Sequence, residues 1–103
     1  MLRVYESAVA MVRELRPVIE RVAMKDADLA RQLRRCSASV VLNIAEGGDS
    51  RKGNKALRFS SALGSAKETR ACLDVADALG YATVGEGLRA RLDGICAVLF
   101  KLA

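Results

Sequence analysis

The feature of this sequence that most restricts its fold is the helical spacing of its apolar residues. In the first segment they recur at alternating intervals of four and three, which places them on one face of an α-helix. These residues are Val4, Ala8, Met11, Leu15, Val18 and Val22. No segment of the chain alternates with the period of two that is typical of a half-buried β-strand. The spacing therefore predicts an all-α protein.

The same periodicity predicts three further helices. The second extends from about Asp28 to Glu46, and the third from about Lys55 to Leu79. A fourth carries Leu88, Leu92, Ile95, Leu99 and Leu102 in register. Four helices joined by short loops favour an antiparallel, up-down-up-down four-helix bundle. The length of 103 residues is that of one domain, residues 1–103.

Glycine, proline and a hydroxyl-carboxylate pair predict details of the helix ends. Gly47-Gly48 and Gly80 predict the ends of the second and third helices, because glycine tolerates the left-handed conformation found there. Thr83 and Glu86 have the spacing of a capping box at the start of the fourth helix. Pro17 lies inside the first stripe, which continues in phase beyond it, so we expect one bent helix there.

Composition argues against catalysis. The chain has no histidine, which removes the commonest general base and a common metal ligand. Cys36, Cys72 and Cys96 are far apart among apolar neighbours, which indicates buried free thiols. The stretch GGDSRKGNK resembles a phosphate loop but lacks the Gly-Lys-Ser/Thr element. We expect no enzymatic activity, no metal and no cofactor.

The distribution of apolar residues also bears on location and assembly. No run of about 18 apolar residues could span a bilayer, and charges interrupt the N-terminal segment. We therefore expect a cytoplasmic protein with no membrane partner. Residues 40–45 and 95–100 are apolar on nearly all sides of their helices. Because one bundle covers only one side of a helix, these stretches predict self-association.

Positive charge is concentrated in one part of the chain. The net charge is +5, and residues 25–58 carry eight basic against four acidic side chains. The candidate nucleic-acid-binding residues are Arg31, Arg34, Arg35, Arg51, Lys52, Lys55 and Arg58. They form two clusters about 25 Å apart along the second helix. A solvated basic surface, or a scaffold that holds a protein partner, would explain the same residues.

Several polar residues lie close to the apolar stripes of the second and third helices. If these helices form a hairpin, Asn43 should bond to Ser60 or Ser61, and Glu68 should pair with Arg31 or Arg35. The same register predicts that the helices approach closely where Gly64 faces Cys36. A carboxylate at a helix C-terminus opposes the helix dipole, so we expect Glu46 to point toward the N-terminus of the third helix, or toward Lys55 or Arg58. These groups could form a binding site, but a polar network that fixes helix register is the favoured interpretation.

A longer motif links these polar residues. QLRRCSASVVLNIAEG occupies Gln32–Gly47 and is followed by Arg51, by Arg58-Phe59 and by LGSAKE at Leu63–Glu68. This arrangement resembles the four-helix-bundle proteins known as 23S ribosomal RNA intervening-sequence proteins, which share N-I-A-E-G followed by G-S-x-x-E. The structural residues of the family motif correspond to Asn43, Glu46, Gly47, Gly64, Ser65 and Glu68.

The resemblance carries its own implications. It implies an antiparallel four-helix bundle that assembles as a ring-like homopentamer, with no enzymatic activity attached to the family. Proteins of similar fold serve as accessory proteins of diversity-generating retroelements, where a basic surface contacts nucleic acid and a reverse transcriptase. The implied partners are therefore further copies of the chain, RNA or DNA, and a protein such as a reverse transcriptase.

Overall fold

A computed structural model describes residues 3–49 and 52–103, and these ranges contain four α-helices and no β-strand. Helix α1 comprises Arg3–Ala23, α2 Ala27–Asp49, α3 Lys52–Ala78 and α4 Glu86–Leu102. Pro17 lies inside α1, which continues on both sides of it as expected. The prediction of an all-α chain is confirmed.

The core is built from one apolar face of each helix. In α1 the whole predicted stripe is buried, together with Ile19. Helix α4 contributes Leu88, Leu92, Ile95, Cys96 and Leu99. Helix α2 contacts α1 and α3, and α4 contacts the same two helices, so the four described helices enclose a common interior. This arrangement is bundle-like, as the periodicity predicts.

Gly47 does not end α2, contrary to the sequence-based prediction. The helix continues to Asp49, and Gly80 is the only described residue with a positive φ, 74°. At Gly47 the requirement is space, because a Cβ atom there would lie 2.8 Å from Cε1 of Phe59. The residue permits close approach of the Phe59 ring rather than a left-handed turn.

Gly80 ends α3 as predicted. Its backbone N–H donates to the carbonyl of Asp77 at 3.0 Å, and the N–H of Tyr81 donates to the carbonyl of Ala76 at 2.8 Å. These two bonds form a Schellman motif, which satisfies carbonyls that the helix itself leaves unpaired. A left-handed residue is required at this position, and glycine adopts that conformation without steric cost.

The predicted capping box at Thr83 and Glu86 is not formed. Helix α4 begins at Glu86, its N-cap is Gly85 in an extended conformation, and no side chain bonds to the first-turn amides. Thr83 lies two residues before the N-cap and is exposed, so its hydroxyl is in the wrong place to cap the helix. Glu86 still lies in the first turn, where the positive end of the helix dipole stabilises a carboxylate.

The two highly apolar stretches are each partly exposed. In residues 40–45, Val40 and Ile44 are buried while Leu42 is 61% exposed. In residues 95–100, the side chains of Val98 and Phe100 are 43% and 72% exposed. Within the described chain, no helix combines the length and the apolarity needed to cross a bilayer. The protomer therefore leaves apolar surface on α2 and on α4 uncovered.

Candidate nucleic-acid interface

The candidate interface lies where α2 packs on α3, and three polar contacts define the register of the two helices. Glu46 pairs with Arg58 at 3.0 Å, the hydroxyl oxygens of Ser39 and Ser65 are 2.8 Å apart, and Gln32 donates to Glu68 at 3.2 Å. Residue numbers on α3 therefore rise as those on α2 fall. The predicted orientation of Glu46 toward Arg58 is confirmed.

An open groove of about 530 Å³ occupies one end of this interface. It is lined by Asp28, Arg31, Gln32, Arg35, Cys36, Ser39, Ser65 and Glu68. The structure thus brings together two of the predicted basic residues, Arg31 and Arg35, with two residues of the motif, Ser65 and Glu68. Its lining is polar and carries both signs of charge.

The ion pairs within the groove differ from those predicted. Arg31 pairs with Asp28 at 2.8 Å on the same helix, and the carboxylate of Glu68 accepts a hydrogen bond from Gln32. The expected pairing of Glu68 with Arg31 or Arg35 is wrong, because Gln32 occupies the position between the helices. Arg35 forms no salt bridge with any residue in the described ranges. Its guanidinium is exposed and therefore available to an anion.

The second predicted cluster lies toward the other end of the same face. Arg58 is paired with Glu46, and Lys55 is exposed. Arg51 lies outside the described residues, and Lys52 belongs to α3 with its side chain outside the description. Arg35 and Glu46 are separated by three helical turns, or about 16 Å, and so lie on the same side of α2. The Arg58 pair therefore continues the face on which Arg35 lies.

Arg34 does not belong to this face. It lines a different groove, between α1 and α2, together with Arg13 and Arg16. Consecutive helical residues are rotated by about 100°, so Arg34 and Arg35 point in different directions although they are adjacent in sequence. The sequence-based prediction did not include the two α1 arginines. The rotation between consecutive residues is the signal that could have separated Arg34 from Arg31 and Arg35 and grouped it with the α1 arginines.

A hydrogen-bonded network occupies the α2–α3 interface beside the polar groove. The amide of Asn43 donates to the carbonyl and the hydroxyl of Ser39 at 3.0 and 3.1 Å. Thr69 donates to the carbonyl of Ser65 at 2.8 Å and contacts the sulfur of Cys36 at 3.2 Å. No buried side-chain nitrogen or oxygen in the described ranges lacks a partner. A network satisfied from within favours a structural role in fixing the register of the two helices.

Two predicted contacts of this region are wrong. Asn43 bonds to Ser39 of its own helix, while Ser60 and Ser61 of α3 are exposed. The predicted close approach at Gly64 is also absent, because a Cβ atom there would meet nothing within 4 Å. Close approach occurs instead where Gly47 meets the Phe59 ring.

The thiols of the bundle are held in their protonated form. Burial raises the pKa of Cys36 and of Cys96, and it raises the pKa of Cys72 to about 11. A thiol with a raised pKa is a poor nucleophile at neutral pH. No group of three side chains suited to holding a metal ion occurs among the described residues. The chemistry that the groove offers is hydrogen bonding and charge attraction from Arg31, Arg35 and the serine hydroxyls.

Comparisons with known proteins show that the chain is similar to one protein family. The sequence profile described as 23S rRNA-intervening sequence protein matches residues 1–101. A crystal structure of a protein of unknown function from the S23 ribosomal protein family of Bacteroides thetaiotaomicron superposes with a TM-score of 0.85. The two chains are 17% identical, and the superposition covers 95% of each, which shows a shared fold. No curated protein sequence matches the chain.

Proposed function

We propose that this chain, which belongs to the 23S rRNA-intervening sequence protein family, is a non-catalytic, homo-oligomeric protein that binds nucleic acid. The crystal-structure relative is described as having unknown function, so the proposal rests on the surface of this chain. The α2–α3 face is the proposed contact with the phosphate backbone of RNA or DNA.

The observation that carries the proposal is the distribution of basic side chains on that face. Arg31 and Arg35 lie at one end, and Arg58, paired with Glu46, lies toward the other, while Lys55 is exposed on α3 three residues before Arg58. Along α2, Arg35 and Glu46, the partner of Arg58, are about 16 Å apart, which equals roughly five nucleotide steps along one strand of a duplex. Arg35 has no carboxylate partner among the described residues, so binding a phosphate would break no existing ion pair there.

The lining of the groove favours electrostatic and sequence-tolerant binding. None of its described lining residues is aromatic, so it offers no platform on which bases could stack. Glutamine and serine side chains are common donors to phosphate and sugar oxygens. In this proposal Gln32 positions a strand with the amide hydrogen that it does not donate to Glu68, and the arginines supply most of the affinity.

Self-association would multiply these contacts. The proposed assembly is a ring, with a pentamer favoured, of protomers whose helices run antiparallel in up-down-up-down order. The exposed side chains of Val98 and Phe100 on α4 support it, because a protomer alone leaves them in water. Repeating one basic face around a ring would raise the affinity for a long anionic strand without any new contact.

The test is a salt titration of RNA binding, measured by fluorescence anisotropy with a labelled duplex RNA. The logarithm of the affinity should fall linearly with the logarithm of salt concentration. Arg35→Ala should weaken binding and reduce the magnitude of that slope by about 1, because one phosphate contact is lost. Lys67→Ala is the matched control, since Lys67 is exposed on α3 outside the groove and should leave the slope unchanged. Affinity that ignores salt, or equal losses in the two variants, would contradict the proposal.

A second candidate function is a scaffold for a protein partner, such as a reverse transcriptase in an RNA-containing complex. The apolar surface that remains exposed at Leu42, Leu57 and Phe100 favours it. Binding through such a surface would persist at high salt, whereas phosphate binding would not. The titration therefore separates the two functions.

A further inference from the structure

A second groove, formed by α1 and α2, differs in chemistry from the α2–α3 face. Its volume is about 680 Å³. The floor is apolar and consists of Val9, Val12, Ile19, Ala38, Val41 and Leu42. Leu42 is the most exposed of the large apolar residues here, at 61%. The two helices thus leave an apolar channel between them that the rest of the described chain does not fill.

The rim of this α1–α2 groove is basic. Arg13 and Arg34 form no salt bridge within the described parts of the chain. Arg16 approaches Glu20 at 3.7 Å, with side chains 81% and 67% exposed, and so weak a surface pair stabilises little. Three guanidinium groups and one carboxylate therefore border an apolar floor, and the positive field is only partly compensated.

We propose that the α1–α2 groove binds an acidic amphipathic helix of another protein. A helix that lies between two others places apolar residues at intervals of three and four against the floor. Carboxylates that flank its apolar stripe would then face Arg13, Arg16 and Arg34, and arginine forms bidentate pairs with carboxylates. The groove supplies both halves of this recognition, because its lining combines apolar residues of both helices with Arg13, Arg16 and Arg34.

Nucleic acid fits this groove poorly. Apart from Glu20 and the arginines, Ser37 is the one polar side chain among its described lining residues. Ser37 is 1% exposed, and its hydroxyl donates to the carbonyl of Arg34 at 3.2 Å. No described lining residue is aromatic, so bases would find neither hydrogen-bonding partners nor a stacking surface. A phosphate strand on the rim would also leave the apolar floor in water.

A second copy of this chain also fits poorly, for reasons of charge. Helices α1, α3 and α4 each carry more basic than acidic residues, and α2 carries equal numbers. None of the four described helices is therefore the net-acidic ligand that the rim attracts. Charge complementarity selects a partner with excess Asp and Glu, independently of the proposed binding of nucleic acid by the α2–α3 face.

The test uses two synthetic helical peptides of about 18 residues, long enough to form helix on binding. Both carry the same leucine stripe, flanked by glutamates in one and by lysines in the other. Binding of each labelled peptide to the full chain is measured by fluorescence anisotropy. The glutamate peptide should bind at least about tenfold more tightly than the lysine peptide, because like charges oppose docking on the rim.

Two variants locate the site, and Lys67→Glu is the matched control for charge. Arg34→Glu should weaken binding of the glutamate peptide by about tenfold, and Leu42→Ser should weaken it by about fivefold. Lys67→Glu should leave the affinity for this peptide unchanged. Leu42 and Arg34 are exposed, so both variants should fold, which circular dichroism checks. Equal binding of the two peptides, or unchanged affinity in both variants, would overturn the proposal.

Two other results would show that nucleic acid or a second copy of the chain occupies the groove, and either would overturn the proposal. If Arg34→Glu weakens RNA binding and leaves the glutamate peptide unaffected, the groove belongs to nucleic acid. If the wild-type chain ignores both peptides and Leu42→Ser lowers the mass of the assembly in native mass spectrometry, the groove is covered by a second copy.

Discussion

Replacing Gly47 and Gly64 with alanine should affect stability differently, although both glycines lie inside helices. A Cβ atom at Gly47 would lie 2.8, 3.0 and 3.1 Å from three carbon atoms of the Phe59 ring. At Gly64 the same atom would meet nothing within 4 Å. The two substitutions are chemically identical, so the difference between them isolates the effect of space.

The expected magnitudes follow from two opposing contributions. Alanine is favoured over glycine inside a helix by about 1 kcal/mol, and Gly64→Ala should gain all of it, which raises Tm by about 5 °C. At Gly47 this gain is opposed by overpacking, which costs about 1–3 kcal/mol. Phe59 is 2% exposed, so its ring cannot move into solvent to relieve the contact. Gly47→Ala should therefore be less stable than Gly64→Ala by about 1–3 kcal/mol.

The assay is urea unfolding followed by far-UV circular dichroism, with all variants at one protomer concentration because self-association would shift apparent stability. Phe59→Leu provides the third corner of a double-mutant cycle. In that background Gly47→Ala should cost less than in the wild-type chain, because the ring that it meets is gone. If Gly47→Ala raises the free energy of unfolding as much as Gly64→Ala does, the steric argument is refuted.

Three further predictions concern the interior. Thr69→Val should lower the free energy of unfolding by about 1 kcal/mol, because the hydroxyl that donates to the carbonyl of Ser65 is lost; urea unfolding measures it, and an unchanged midpoint would contradict it. Leu73→Ala should cost about 2–5 kcal/mol in the same assay, because the side chain is fully buried. Burial raises the pKa of Cys72 from 9.0 to about 11, so the unfolded chain loses this proton first. Stability should therefore fall from pH 9 to about 11, and fall less in Cys72→Ala, as urea midpoints across that range would show.

The helices and their inner faces could be predicted from the sequence because the buried residues of a helix recur with the helical period. Every residue of the stripe from Val4 to Val22 is buried in α1. Glycine was less informative, since it has two separate uses. Gly80 adopts a positive φ at the end of α3, whereas Gly47 lies inside α2 to make room for Phe59. The sequence around each glycine does not distinguish a need for conformation from a need for space.

Side-chain partners at the candidate site were harder to predict than its location. The motif correctly indicated that α2 and α3 meet through polar residues, and Glu46 and Arg58 pair as expected. Glu68, however, accepts from Gln32 rather than from an arginine. The side chains of Arg31, Gln32 and Arg35 could all reach Glu68 from α2. The rotation of each helix about its axis decides which of them does. That rotation depends on packing across the whole bundle.

The two proposed surfaces follow from one property of α2, the rotation of about 100° between consecutive residues. It places Arg35 over a floor of serine and glutamine on the α3 side and Arg34 over a floor of valine and leucine on the α1 side. Both arginines attract anions, but the floors differ in what they can accept. A hydrated phosphate strand can lie over hydroxyls and amides, whereas an apolar floor gains only if the ligand covers it with apolar atoms. Raising salt should therefore weaken RNA binding more than binding of the glutamate peptide, because part of the peptide's affinity comes from apolar burial that salt does not screen.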